Sequence, residues 1–134
     1  MIEVGQSFTG RVFEANASSM KVVAALLRDP NPIHFDRAAA QAAGRGACLV
    51  GQGPASAALL YQSVLDLWPG SVLLTASLRY VANVTEGDEL RSEITVTGID
   101  DDSHARRVSA AVRVLDGTGV EKVVGAVVVR LLVP

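Results

Sequence analysis

The sequence predicts an α+β domain in which an antiparallel sheet wraps around a buried helix. Residues up to about 67 are rich in alanine and leucine with helical periodicity, whereas the rest is rich in valine, threonine and isoleucine in short runs separated by turns. Helices grouped before hairpin-linked strands favour α+β over alternating βαβ units. With 134 residues, 49% of them hydrophobic, the chain is expected to form a single domain over residues 1–134.

The first half of the chain is predicted to hold one short strand and three helices. The strand covers residues 6–13, and a helix over 18–27 begins at one of two adjacent serines and stops before two prolines. Asp36 is expected to cap a second helix that ends at residue 43. A third helix over 54–67 has a proline at its start and enough apolar positions to be buried on most sides.

The second half is predicted to be a sheet of hairpin-linked strands. The strand candidates cover residues 71–81, 90–97, 106–115 and 122–133. The second and third alternate between apolar and polar residues, as expected for strands with one buried face. The last is almost continuously apolar, which is typical of a central strand covered on both faces.

Charge and cysteine content exclude several classes of protein. Twelve basic and fourteen acidic residues give a formal net charge of −2, which leaves no positive surplus for binding nucleic acid or an anionic membrane. Cys48 is the only cysteine, so an intrachain disulfide is excluded. The sequence shows no signal peptide and no apolar run of membrane-spanning length, and a cytoplasmic protein with neither nucleic-acid nor membrane partners is therefore expected.

The two histidines differ in their surroundings. His104 follows a run of aspartates in a predicted turn, where a solvated side chain is expected. His34 lies five residues after Asp29 on a segment that prolines stiffen. A carboxylate and an imidazole on one rigid loop can hold a water molecule and divide the acid and base roles. From residue types alone, the alternative that Asp29 and Asn31 only build the turn while His34 packs or caps remains open and is the commoner outcome.

The segment Asp-Pro-Asn-Pro-Ile-His-Phe-Asp, residues 29–36, resembles the hydratase-2 motif of the MaoC-like dehydratases, also called (R)-specific enoyl-CoA hydratases. The Gly-Gln-Gly-Pro stretch at 51–54 and the Gly-Asp turn within 85–90 are also similar to that family. The resemblance implies the hot-dog fold, in which a sheet wraps around a central helix. Arg28 stands where the family usually has glycine, and Gln52 where it often has histidine.

The resemblance implies a reversible hydration of 2-enoyl-CoA to (R)-3-hydroxyacyl-CoA. Asp29 and His34 would activate one water molecule, with the acid and base roles unassigned, and Asn31 would orient their loop. The backbone N–H of Gly53, at the positive end of the central helix, would stabilise negative charge on the thioester oxygen.

Expectations about substrate and partners rest on the same resemblance. The substrate is an acyl-CoA or acyl-carrier-protein thioester, with Gln52 and Ser56 as candidate substrate-binding side chains. Coenzyme A enters only as part of the substrate, and no metal or other cofactor is expected. The apolar strand at 122–133 and the habit of hot-dog proteins to pair predict a homodimer or larger homo-oligomer.

Three alternative functions use the same fold. The first is a subunit of a 3-hydroxyacyl-carrier-protein dehydratase. The second, an acyl-CoA thioesterase, requires a carboxylate on or near the central helix; only Asp66 is present, close to the C-terminal end, which disfavours it. The third is a non-catalytic partner of a heteromeric hydratase, which the intact Asp29, Asn31 and His34 disfavour.

Overall fold

The computed structural model describes residues 1–101 and 105–132 of the chain. Helices and strands occur in the predicted α+β order, with helices before most of the strands. The elements are β1 (Ser7–Glu14), α1 (Ala17–Leu27), a 3-10 turn (Pro32–His34), α2 (Arg37–Ala42), α3 (Gly53–Leu67), β2 (Val72–Tyr80), β3 (Glu89–Asp101), β4 (Ala105–Leu115) and β5 (Glu121–Leu132). The predicted turn residue His104 lies outside the described residues, as does the last residue of the predicted strand 122–133.

The five described strands form one sheet in the order β1-β3-β4-β5-β2, and every neighbouring pair is antiparallel. Helix α3 lies across the sheet and contacts β1, β2, β3 and β4. Leu60 and Val64 of α3 are completely buried, together with sheet residues such as Val108 and Val129. The arrangement confirms the hot-dog fold, because one sheet wraps around one central helix.

Helix α3 is buried on one face only, so the prediction of a helix buried on most sides is wrong for the single chain. Leu60 and Val64 point into the core, whereas Ala58, Gln62 and Leu65 are exposed. The small apolar residues of this helix made both faces look suited to burial. Small side chains, however, also tolerate a solvent-exposed face.

Strand β5 is an interior strand, as expected, but only one of its faces is covered. Val123, Val127 and Val129 are buried, whereas Ala126 on the opposite face is exposed. The free edge of this side of the sheet is β2, most of whose residues are exposed. The continuous apolar run of β5 therefore reflects an interior position in the sheet with one partly exposed face.

Helix starts follow the local chemistry of their capping residues. Asn16, not one of the two serines, caps α1, because its Oδ1 accepts the Ser19 N–H at 2.9 Å. Asp36 caps α2 as predicted, accepting the backbone N–H groups of Ala38 and Ala39. Helix α3 begins at Gly53, one residue before the predicted start.

Candidate active site

Asp29 is positioned by the way α1 ends. Arg28 adopts the left-handed conformation with φ 51°, the only non-glycine residue with positive φ among the described residues. The turn brings the Asp29 N–H to the Ala24 carbonyl at 2.9 Å. Glycine is the residue that usually ends a helix in this conformation, because it has no β-carbon to clash. Arg28 therefore adopts a backbone conformation that glycine usually adopts, at the position where the resembled family usually has glycine.

Asn31 and Asp29 shape the loop between α1 and the 3-10 turn. One carboxylate oxygen of Asp29 accepts the Asn31 N–H at 3.0 Å, and the Asn31 side chain in turn accepts the Ile33 N–H at 3.3 Å. These bonds begin the 3-10 turn that ends at His34. Asn31 therefore fixes the loop through its amide oxygen, and the second carboxylate oxygen of Asp29 remains available to His34.

Asp29 and His34 lie side by side. The Nε2 atom of His34 is 3.2 Å from Oδ2 of Asp29, and Nδ1 is 2.6 Å from the Val50 carbonyl oxygen. A carbonyl oxygen only accepts hydrogen bonds, so Nδ1 carries a proton and the neutral ring keeps its lone pair on Nε2. His34 is 8% exposed, so its ring is held in the interior, whereas the Asp29 side chain is 30% exposed.

Gly53 lies at the predicted position of an oxyanion donor. It is the first residue of α3, and its N–H has no hydrogen-bond partner among the described residues. Unpaired N–H groups in the first turn of a helix lie at its positive end. The free N–H is available to an oxygen that gains negative charge.

Tyr80, which sequence reasoning missed, covers one side of Gly53. A β-carbon at position 53 would lie 3.0 Å from two atoms of the Tyr80 ring. Partial burial raises the pKa of Tyr80, with a smaller contribution from Tyr61. No signal in the sequence connects the end of β2 with the start of α3, because the contact depends on how the strand crosses the helix.

Gln52 and Ser56 line one pocket together. It has a cavity volume of about 50 Å³ between α1, α3 and the sheet and is otherwise mostly apolar, with walls that include Phe13, Met20, Leu59 and Leu90. Gln52 is 3% exposed and its amide nitrogen lies 3.5 Å from the Met20 carbonyl, whereas its Oε1 has no partner in the part of the chain that the structure describes. Ser56, one helical turn later, is buried and its hydroxyl makes no hydrogen bond to a described residue. Two unpaired polar groups in an apolar pocket are suited to a ligand group that can both donate and accept.

The structure does not bring all predicted site residues into one pocket. Asp29 lines a shallow depression with α1 and Phe35, whereas Gln52 and Ser56 line the internal pocket. The segment at 50–52 connects the two regions, because Val50 binds His34 and Gln52 enters the pocket. Among residues 1–101 and 105–132, no cluster of three side chains is suited to metal binding. No helix in that part of the chain is long and apolar enough to cross a membrane.

Two solved structures are similar to this chain over nearly its full length. The R-hydratase PhaJ1 from Pseudomonas aeruginosa, in the unliganded form, is 28% identical, with a TM-score of 0.84 over 99% of this chain and 87% of that chain. The (R)-hydratase from A. caviae involved in PHA biosynthesis is 30% identical, with a TM-score of 0.83 over 97% of each chain.

A curated relative matches a shorter region. The mitochondrial 3-hydroxyacyl-acyl-carrier-protein dehydratase FERN of Solanum lycopersicum is 34% identical over 74 residues, which is 55% of this chain. The match spans 44% of that relative's length.

The sheet wrapped around α3 and the aspartate–histidine pair on the loop after α1 define a hot-dog protein of the hydratase type. The family described as MaoC like domain matches residues 8–118, and the chain belongs to that family.

Proposed function

We propose that the protein hydrates a 2-enoyl-CoA thioester reversibly to the (R)-3-hydroxyacyl-CoA. The observation that carries the proposal is the 3.2 Å contact between His34 Nε2 and Asp29 Oδ2, with the opposite ring nitrogen bound to the Val50 carbonyl. Membership of the MaoC-like family and the similarity to the two (R)-hydratases support the same reaction.

The reaction requires one water molecule and one proton held by the Asp29–His34 pair. Water binds beside the two side chains, and His34 Nε2 removes a proton as the oxygen attacks the β-carbon. The electron pair of the double bond moves to the thioester oxygen, where the Gly53 N–H stabilises the negative charge. The pair returns one proton to the α-carbon and keeps the proton that came from water, so the enzyme ends as it began.

Gln52 and Ser56 are the proposed substrate-binding side chains. Both side chains have unpaired polar atoms in the internal pocket, next to the first turn of α3. The reaction moves no electrons to or from a cofactor, and coenzyme A takes part only as the carrier. The similarity to the Solanum dehydratase supports an acyl-carrier-protein thioester as the alternative substrate.

The thioesterase alternative is disfavoured by the environment of Asp66. Its carboxylate binds Arg11 at 2.7 Å and accepts the Gln62 amide at 2.8 Å. A carboxylate already paired in this way is a poor base for water.

We further propose that two copies join through β2. Among the described strands, β2 pairs only with β5, which leaves its other edge unpaired by them, and Val72, Leu74 and Tyr80 are 40%, 40% and 54% exposed. An unpaired edge with apolar side chains is a surface to which a second chain can add. Sedimentation at micromolar concentration is expected to give a dimer, and Leu74→Lys is expected to shift it toward monomer. Val22→Lys, at an exposed position of α1, is the matched control; a monomeric parent protein contradicts the proposal.

The decisive experiment follows crotonyl-CoA during incubation with the protein. Hydration removes the absorbance of the conjugated thioester without releasing free thiol, and chiral analysis is expected to give a single (R) product. Release of free thiol identifies a thioesterase instead. Turnover only with the carrier-protein thioester identifies the dehydratase alternative, and no turnover in either direction supports a non-catalytic subunit. A cytoplasmic location stays a prediction from the sequence.

A further inference from the structure

The carbonyl that binds His34 belongs to a short segment, residues 49–51, which is held from both sides. The Val50 N–H donates to the Ile33 carbonyl at 3.0 Å, next to His34 itself. On the other side, Val50 forms a bridge with Thr85. Hydrogen bonds from Gly51 to Val84 at 2.8 Å and from Glu86 to Leu49 at 2.9 Å flank that bridge. The position of the Val50 carbonyl therefore depends on the turn at 84–86.

One side chain of that turn connects three parts of the chain. The Glu86 carboxylate accepts Nε of Arg37 at 2.9 Å and, through its other oxygen, a second guanidinium nitrogen of Arg37. It also accepts the Leu49 N–H at 3.3 Å. Glu86 thus links the first residue of α2, the segment 49–51 and its own turn. The hydrogen bonds from Arg37 lower the pKa of Glu86, with a smaller effect from the Leu49 N–H, so the carboxylate stays charged at neutral pH.

We propose that Glu86 is a positioning residue for His34. It contacts neither His34 nor the pocket, and it acts through the Leu49 and Val50 backbone to hold the carbonyl that binds Nδ1. The hydrogen-bond partner of one ring nitrogen fixes both the tautomer and the direction of the other nitrogen. The effect of Glu86 on catalysis rests on the proposed hydration, whereas the effect of Glu86 on the His34 ring can be measured without substrate.

The physical reason for a catalytic effect is the sensitivity of proton transfer to position. A misplacement of about 1 Å can reduce turnover a hundredfold. Loss of Glu86 frees the Leu49 N–H and one side of α2 but leaves the Val50–Thr85 bridge in place. A smaller displacement of the Val50 carbonyl, and a turnover loss of about tenfold, is therefore expected.

The first test is a measurement of the His34 imidazole by ¹H and ¹⁵N NMR. The sequence has only two histidines, so His104→Gln leaves a single imidazole to observe. In this background, a protein that keeps Glu86 is expected to show a protected, downfield Nδ1–H resonance of His34. In Glu86→Ala the resonance is expected to weaken or to exchange faster. Glu86→Gln, which keeps acceptors for Leu49 and Arg37, is expected to retain more of it.

The second test separates kcat from KM with the enoyl thioester. Glu86→Ala is expected to lower kcat about tenfold while KM changes less than about twofold, because Glu86 does not line the pocket that holds Gln52 and Ser56. Glu93→Gln is the matched control, since Glu93 also pairs with an arginine, Arg113, but on the outer face of the sheet. Adding Arg37→Ala to Glu86→Ala is expected to lower kcat little further, because both substitutions remove the same Arg37–Glu86 contact.

Each result bears on the proposal in one direction. A lower kcat together with a weakened Nδ1–H resonance supports it. An unchanged resonance, or an unchanged kcat beside a weakened resonance, overturns it. If Glu86→Ala does not fold, Arg37→Ala, which removes the anchor of the Glu86 carboxylate, is judged by the same criteria. If the parent protein hydrates no thioester, the proposed function fails, and the resonance alone decides whether Glu86 positions the ring.

Discussion

The Tyr80 ring lies against the α-carbon of Gly53, so the end of β2 covers the first residue of the central helix. A β-carbon added to Gly53 would lie 3.0 Å from two ring atoms, which is closer than side chains normally pack. Any side chain at position 53 would therefore press on the Tyr80 ring. The same contact links the proposed oxyanion donor to the free edge of the sheet.

Gly53→Pro is expected to reduce turnover by about a hundredfold or more. Proline has no N–H, and removing one oxyanion donor costs about 3–4 kcal/mol in the transition state. No hydrogen bond to a described residue is lost, because the Gly53 N–H has no partner there, but the proline ring also presses on Tyr80 as alanine would. Steady-state kinetics together with a thermal unfolding curve provides the measurement.

Gly53→Ala is the control that separates a lost donor from a displaced Tyr80. Alanine keeps the N–H but pushes on the ring, so a moderate loss is expected, and Tyr80→Ala in the same chain should recover much of it. A proline variant that is no worse than the alanine variant contradicts the role of the N–H.

Asp29→Asn and His34→Ala are each expected to lower turnover by at least about a hundredfold, the effect of a positioned acid or base. Asparagine keeps an oxygen for the Asn31 N–H, so the loop should remain intact. His34→Ala also leaves the Val50 carbonyl without its partner, which should lower the free energy of unfolding by about 1–3 kcal/mol. Near-normal turnover in either variant, measured with crotonyl-CoA and longer enoyl thioesters, means that the pair is not catalytic.

Lys122→Met is expected to lower the free energy of unfolding by about 3–5 kcal/mol. The buried ammonium lies 3.0 Å from the Asn83 carbonyl and 3.1 Å from carboxylate oxygens of both Asp88 and Asp116. Burial opposes the charge, but the two carboxylates raise the pKa of Lys122 overall. Without the ammonium, two carboxylates remain close together with no cation. Urea denaturation measures the effect, and Lys21→Met, at an exposed position of α1, should change stability by less than about 0.5 kcal/mol.

The Asp116 carboxylate should make the protein sensitive to acid. The Thr118 hydroxyl and the backbone N–H groups of Thr118 and Val120 hold the pKa of Asp116 well below its usual 3.8, although burial acts in the opposite direction. A carboxyl group whose pKa is lower in the folded than in the unfolded state stabilises the fold at pH values above its unfolded pKa. That stabilisation is lost as the pH falls below about 4. Urea denaturation between pH 6 and about 2 should show the free energy of unfolding decreasing with pH, and this decrease should be shallower in Asp116→Asn. Equal slopes in the two proteins would exclude Asp116 as the source of the acid sensitivity.

The parts of the fold that local chemistry determines were predictable from the sequence. Alternation of apolar and polar residues predicted β3 and β4, and the Asp36 side chain predicted the start of α2. The Asp29–His34 contact was also within reach, because His34 follows Asp29 by only five positions and two prolines lie between them. Asn16 was missed as a cap because two nearby serines are equally good caps by composition.

Contacts between distant segments were not predictable. Arg37 and Glu86 are 49 residues apart, and His34 and the Val50 carbonyl are 16 apart. Lys122 begins an apolar strand in the sequence, and only the pairing of β5 with its neighbours shows that two carboxylates surround it. The exposed face of α3 could not be predicted either, because the alanines of that helix suit an interior and a surface equally well.

The conformation of Arg28 has a consequence for engineering heat tolerance. A residue with a β-carbon in the left-handed region costs about 1 kcal/mol relative to glycine, and the Arg28 side chain makes no hydrogen bond or ion pair with a described residue. The backbone there already follows the path that glycine prefers. A random library selected at rising temperature should therefore enrich glycine at position 28 early. Such a substitution would stabilise the folded state at the residue next to Asp29 without replacing any group proposed to take part in the chemistry.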